Sequence, residues 1–118
     1  MTTAEGKVSL HLAGRVRRVV DAEDIYYLEA HGDETDVRLR AAHRLRDVRS
    51  LGEVMEELKA LGFLRIHRNY AVNPARVREI RPAASSWEVH LEPPVNKVLP
   101  VSRRSVTALF EAYGPSRG

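Results

Sequence analysis

The stretch Phe63-Leu64-Arg65-Ile66-His67-Arg68-Asn69-Tyr70-Ala71-Val72-Asn73-Pro74 is the most informative in this chain. Leu64 and Ile66 alternate with Arg65 and His67, the two-residue period of a strand with one buried face. Tyr70 and Val72 can also point inward. Arg65, His67, Arg68 and Asn69 then make a dense polar cluster at the end of a strand. Such side chains suit nucleic acid: Arg pairs with guanine O6/N7 or phosphate, Asn with adenine, and His can donate to either. They equally suit a structural role, in which polar groups cap the following turn and His67 makes an internal hydrogen bond.

Working outward, the upstream side carries a helix signature. Ser50-Leu51-Gly52-Glu53 fits a capping box, with Ser at the N-cap and Glu three residues on. Leu51, Val54, Met55, Leu58 and Leu61 recur at helical spacing, and Gly62 supplies the left-handed stop. Downstream, short β-like pieces cover Phe63 to Ile66, Val77 to Ile80, Trp87 to Leu91 and Val95 to Val101. Pro74, Pro82 and Pro93-Pro94 punctuate them, because Pro cannot donate to a ladder. A second helix is expected to begin near Ser102, with Val106, Leu109, Phe110 and Tyr113 on one face and Gly114-Pro115 as its end. Ser102 reads as its N-cap. Arg103 and Arg104 just after it suit a phosphate seat or, equally, a plain cap with exposed cations.

Alternation dominates the first half. Val8, Leu10 and Leu12, then Val16 and Val19-Val20, read as a hairpin around Ala13-Gly14. Asp21 to Asp24 reads as a turn. Ile25 to Ala30 is a buried strand, His31 to Glu34 a loop, and Thr35 to Arg40 a strand with Val37 and Leu39 inward. Ala42 to Val48 is a weaker short strand. The fold class is therefore mostly β with two helices.

The 118 residues make one domain, 1–118, with its core at 7–113. No cysteine is present, which excludes disulfide scaffolds, Cys-based zinc fingers, iron–sulfur clusters and thiol catalysis. His11, His31, His43, His67 and His90 show no metal-ligand spacing. There is no nucleophile elbow and no Gly-rich phosphate loop, so neither an enzyme, a cofactor, a metal nor a small-molecule substrate is expected. The absence of a signal peptide or an apolar span points to the cytoplasm.

Net charge is only +3, yet Arg supplies 16 of the 19 cations. Asp21 to Asp36 holds seven acids and no Lys or Arg. Arg38 to Arg49 holds five Arg against Asp47, and Phe63 to Arg81 five Arg against Glu79. These blocks either converge on a polyanion or form solvated strand faces paired with the acidic block.

Together, Asp24 to Gly32, the Ser50-capped helix, Gly62 to Asn73, Val77-Arg78-Glu79-Ile80 and Leu99-Pro100-Val101-Ser102-Arg103-Arg104 resemble the LytTR DNA-binding domain of bacterial transcription regulators. The resemblance runs from about Lys7 to Tyr113. It implies short antiparallel sheets with flanking helices, and loops rather than a recognition helix in the major groove. It places one loop at His31 to Asp36, with Thr35 near a base-reading position. A second is His67-Arg68-Asn69 and a third Ser102-Arg103-Arg104, with Arg104 the best match to a base-contacting arginine. Lys97 and Ser105 fall at phosphate-contacting positions. The implied partner is double-stranded DNA, bound at direct repeats as a homodimer. The first loop departs from the family pattern, because Asp33, Glu34 and Asp36 would repel phosphate unless the loop turns away or Arg38 and Arg40 neutralise it. That departure motivates an alternative, a LytTR-fold protein-interaction module with weak or no DNA binding. Most members carry a receiver domain ahead of this one, so the chain is a response-regulator output domain or a stand-alone regulator. The latter would take its input from a regulatory partner such as a membrane inhibitor or a separate sensor.

Overall fold

The computed structural model describes residues 6–41 and 43–114. Strand β3 (Ile25–His31) is its centre, because Ile-Tyr-Tyr-Leu is bulky, apolar and β-favouring and is buried throughout. It pairs antiparallel with β4 (Glu34–Leu39) on one side and β7 (Tyr70–Val72) on the other. With β5 (Arg44–Asp47) and β6 (Leu64–His67) these form a five-stranded sheet in the order β5-β4-β3-β7-β6. Strands β1 (Lys7–His11) and β2 (Arg17–Asp21) form a separate hairpin. Strands β8 (Val77–Pro82), β9 (Trp87–Leu91) and β10 (Val98–Val101) form a three-stranded sheet in the order β10-β9-β8.

The large sheet is covered on both faces. On one, Leu28, Val37, Leu39 and Ala71 pack with Val8 and Leu10 of β1 and with α1 (Leu51–Leu58). On the other, Tyr27, Ile66 and Val72 pack with Val89, Leu91, Leu99 and Val101 of the small sheet and with Leu109 of α2 (Val106–Glu111). A register shift between Ile25 and Tyr27 lets Tyr26 and Tyr27, adjacent in sequence, join the same core. Strict alternation would have sent one of them to the opposite face.

Helix α1 starts as its sequence predicts. The Glu53 N–H donates to Ser50 Oγ at 3.3 Å and the Ser50 N–H donates to Glu53 Oε1 at 3.0 Å. Gly62, at φ +92°, ends the short 3-10 turn that follows. An eight-residue helix has little stability of its own, so the cap matters. Ser50→Ala is expected to cost about 1 kcal/mol, read as a lower urea midpoint; an unchanged midpoint would mean that water replaces the cap.

Four expectations change. His31 to Glu34 is not an open loop. β3 and β4 run to His31 and Glu34, which pair across a two-residue Gly32-Asp33 tip with Gly32 at φ +59°. The last strand begins only at Val98, because residues 92–97 turn, with Asn96 at φ +50° and its N–H on the Glu92 carbonyl. The second helix begins later than expected. The Ser102 side chain caps no N–H; its Oγ lies 2.8 Å from Ser105 Oγ, and a 3-10 turn over Arg103–Ser105 precedes α2. Leu61, Phe110 and Tyr113, placed on apolar stripes, are about half exposed. No helix among the described residues is long and apolar enough to cross a membrane.

Candidate nucleic-acid interface

At the β6 edge of the large sheet, the turn from β6 to β7 and the segment entering α2 lie side by side. The Ser102 N–H donates to the Ile66 carbonyl at 2.7 Å and joins them. Between them opens a cleft of about 480 Å³ lined by Arg65, His67, Arg68, Ser102, Arg104 and Ser105. No carboxylate lies within ion-pair distance of Arg65, Arg68 or Arg104 among the described residues. The cleft presents three guanidinium groups, an imidazole and two hydroxyls.

The β6–β7 turn is held by its own polar groups. Arg65 Nε donates to the His67 carbonyl at 3.1 Å, and its terminal nitrogen donates to the Arg68 carbonyl. The Asn69 N–H donates to His67 Nδ1 at 3.1 Å, and the Asn69 carbonyl accepts from the Ala30 N–H at 2.8 Å. Next to it, Tyr70 OH donates to Glu29 Oε2 at 3.3 Å; burial and that carboxylate both push the phenol above its ordinary pKa. Both roles open from sequence are present. Arg65 and His67 brace the turn and also line the cleft, while Arg68 and Asn69 are exposed on the turn. Sequence reading placed Arg65 in the polar cluster but not its bracing role, which depends on the bulge between Arg65 and His67.

The remaining expected site residues are spread more widely. Arg103 turns away from the cleft, its Nε donating to the Ser85 carbonyl at 3.1 Å. Lys97 is exposed in the β9–β10 turn. Thr35 is fully buried, with its hydroxyl donated to the Arg49 carbonyl at 2.9 Å, so it offers no polar atom to an external partner. Its parity signals as much: Thr35, Val37 and Leu39 share the buried face of β4.

The acidic first loop is partly neutralised, but not by Arg38 or Arg40. Arg46 of β5 donates to Asp36 and, at 3.3 Å, to Glu34. Arg40 instead pairs with Asp24, and Arg38 reaches its neighbour's carbonyl. Arg49 pairs with Asp47 and Glu57. Three of the five Arg in the 38–49 block, Arg40, Arg46 and Arg49, are thus paired with acids. Arg76 is likewise engaged, 5.4 Å over the Tyr26 ring and bonded to the Glu23 carbonyl, and Arg81 pairs with Glu79. By contrast, Arg65, Arg68 and Arg104 converge without an acid among the described residues.

Comparisons with known proteins agree with this architecture. The chain is 33% identical over 103 residues to the CO-responsive transcriptional regulator RcoM of Rhodospirillum rubrum, covering 87% of this chain and 43% of that protein. It is 32% identical over 88 residues to the transcriptional regulatory protein YpdB of Escherichia coli, covering 75% of this chain and 36% of that protein. The chain thus spans less than half the length of these relatives. A solved LytTr DNA-binding domain from Bacillus cereus superposes with a TM-score of 0.75 over 95% of this chain and all of that one; at 23% identity it speaks for the fold. The family model of the LytTr DNA-binding domain matches residues 15–114, which takes in the braced turn, the cleft and both helices, and the chain belongs to that family.

Proposed function

We propose that this chain is a sequence-specific double-stranded DNA-binding unit of a transcription regulator. The observation that carries the proposal is the acid-free cleft of Arg65, Arg68 and Arg104 between two braced loops. Arg68, Asn69 and Arg104 read base edges from the major groove, and Lys97, Ser102, Arg103 and Ser105 hold phosphates. Thr35 acts indirectly, through the packing of the β3–β4 hairpin. The unit is a single domain with its core at 7–113. It binds direct repeats as a homodimer in the cytoplasm and takes its input from another domain or a regulatory partner. RcoM and YpdB, both transcriptional regulators by name, support the regulatory role.

Selection of bound duplexes from a random library tests the proposal, yielding a preferred site and the repeat spacing together. On that site, three to five phosphate contacts give a log–log salt slope of about −3 to −4.5. The exposed Asp33 at the hairpin tip favours a second role, protein interaction without DNA binding. Failure to bind any duplex at low salt, with a protein partner retained, would establish that role instead.

A further inference from the structure

The cleft contains one side chain whose chemistry its own backbone decides. His67 Nδ1 lies 3.1 Å from the Asn69 N–H. An amide N–H can only donate, so Nδ1 must present its lone pair. The ring proton of the neutral imidazole then sits on Nε2. The ring is also held from the side, tilted at 56° against Tyr70 with 5.8 Å between centroids. Tyr70 is in turn anchored on Glu29, and Arg65 holds the two carbonyls of the turn. Ring and backbone are therefore fixed relative to one another.

Among the described residues nothing accepts a hydrogen bond from Nε2, although His67 lines the cleft. With Nδ1 committed to Asn69, Nε2–H is the one polar group His67 has left for a ligand. The neighbouring Arg65, Arg68 and Arg104 are donors only.

We propose that the turn locks His67 as the Nε2–H tautomer and makes it an obligatory hydrogen-bond donor to DNA. It takes an acceptor atom, a purine N7 or a phosphate oxygen, and disfavours a base amino group at the same place. On a purine N7 His67 then determines specificity, and on a phosphate oxygen it positions the duplex; a freely tautomerising histidine would fix neither. This rests on the DNA-binding role of the cleft.

Two measurements test it. Long-range nitrogen NMR of the free chain, above neutral pH, is expected to show Nδ1 as the pyridine-type and Nε2 as the pyrrole-type nitrogen of His67. The reverse pattern overturns the proposal. The second measurement uses the duplex recovered by library selection, carrying 7-deazapurines or methylphosphonates one position at a time. Among the positions where modification weakens the wild type, one should cost about tenfold and depend on residue 67. His67→Asn keeps an acceptor near Nδ1 and offers nothing at Nε2. It should lose about tenfold on the unmodified duplex and little more at that position. His67→Gln, with a distal donor, should retain the sensitivity. A deaza-sensitive position identifies a base edge, and a methylphosphonate-sensitive one a phosphate. Wild-type affinity in His67→Asn, or no position coupled to residue 67, overturns the donor role while DNA binding stands. If wild type binds no duplex at low salt, the DNA-binding role itself fails, and the NMR still decides the tautomer.

Discussion

Replacing Asp47 with Ala should destabilise the chain by about 3 kcal/mol. Asp47 is fully buried on β5 and binds groups from three directions. It accepts from the His11 N–H of β1 at 3.0 Å and from the Arg49 N–H at 2.9 Å. It also accepts two bonds from the Arg49 guanidinium, at 3.0 and 2.8 Å. Removing it leaves two N–H groups without a partner in a poorly solvated place and takes from Arg49 the buried half of its ion pairing. Arg49 keeps Glu57 at 2.8 Å, which holds the cost to the lower end for a broken buried pair. At a urea m-value of about 1.5 kcal/mol/M, the midpoint should fall by roughly 2 M. Asp47→Asn keeps one acceptor and should fall between the two. A midpoint shift of only a few tenths of a molar would mean that water replaces the carboxylate.

The same carboxylate makes stability depend on acid. Burial pushes its pKa up, but the Arg49 guanidinium and the N–H groups of His11 and Arg49 outweigh burial and hold it below the ordinary value. The unfolded chain therefore binds a proton at higher pH than the native one. The contribution is complete above the unfolded value of about 3.9 and is lost as pH falls through the lower native value. Asp47→Asn should flatten the acid limb of the stability curve. DNA affinity of the folded variant should stay near wild type. β5 and β6 are opposite edges of the five-stranded sheet, four strand spacings or about 19 Å apart.

Arg104→Ala should weaken binding to the selected duplex by about 1–3 kcal/mol and relax the preference at one base pair. Arg104 lines the cleft opposite Arg68 with no acid to hold it. Its neighbour is the control. Arg103 lies outside the cleft on the Ser85 carbonyl; in its proposed phosphate role, Arg103→Ala should reduce affinity about equally across sequences and make the salt slope shallower by about 1. Fluorescence anisotropy against a set of single-base variants separates the two. A larger specificity loss in Arg103→Ala would exchange their roles.

What the sequence makes legible here is what local spacing encodes. The alternation around Val8, Leu10, Val37 and Leu39, the Ser50 cap and the Gly62 stop each depend on a few neighbouring residues, and each appears in the structure. The family resemblance placed the two loops that form the cleft. Cross-strand register was not legible. That Arg46 meets Asp36, that Thr35 lies opposite Asp47, and that a bulge turns Tyr26 and Tyr27 to the same side are consequences of which strands pair and where. The expected cap at Ser102 failed for a local reason: two serines three residues apart hydrogen-bond each other instead of the backbone.

The single bond from the Ser102 N–H to the Ile66 carbonyl has a wider consequence. Two surface loops from distant parts of the chain would ordinarily fluctuate independently, and each would lose conformational freedom when a ligand bound. Joined by that bond to the edge of a buried sheet, they are held as one jaw at a set separation. Binding then immobilises little that was mobile beforehand, so more of the contact energy remains as affinity. Such a jaw also measures distance: contacts set too close or too far apart along a duplex cannot be reached by bending one loop alone.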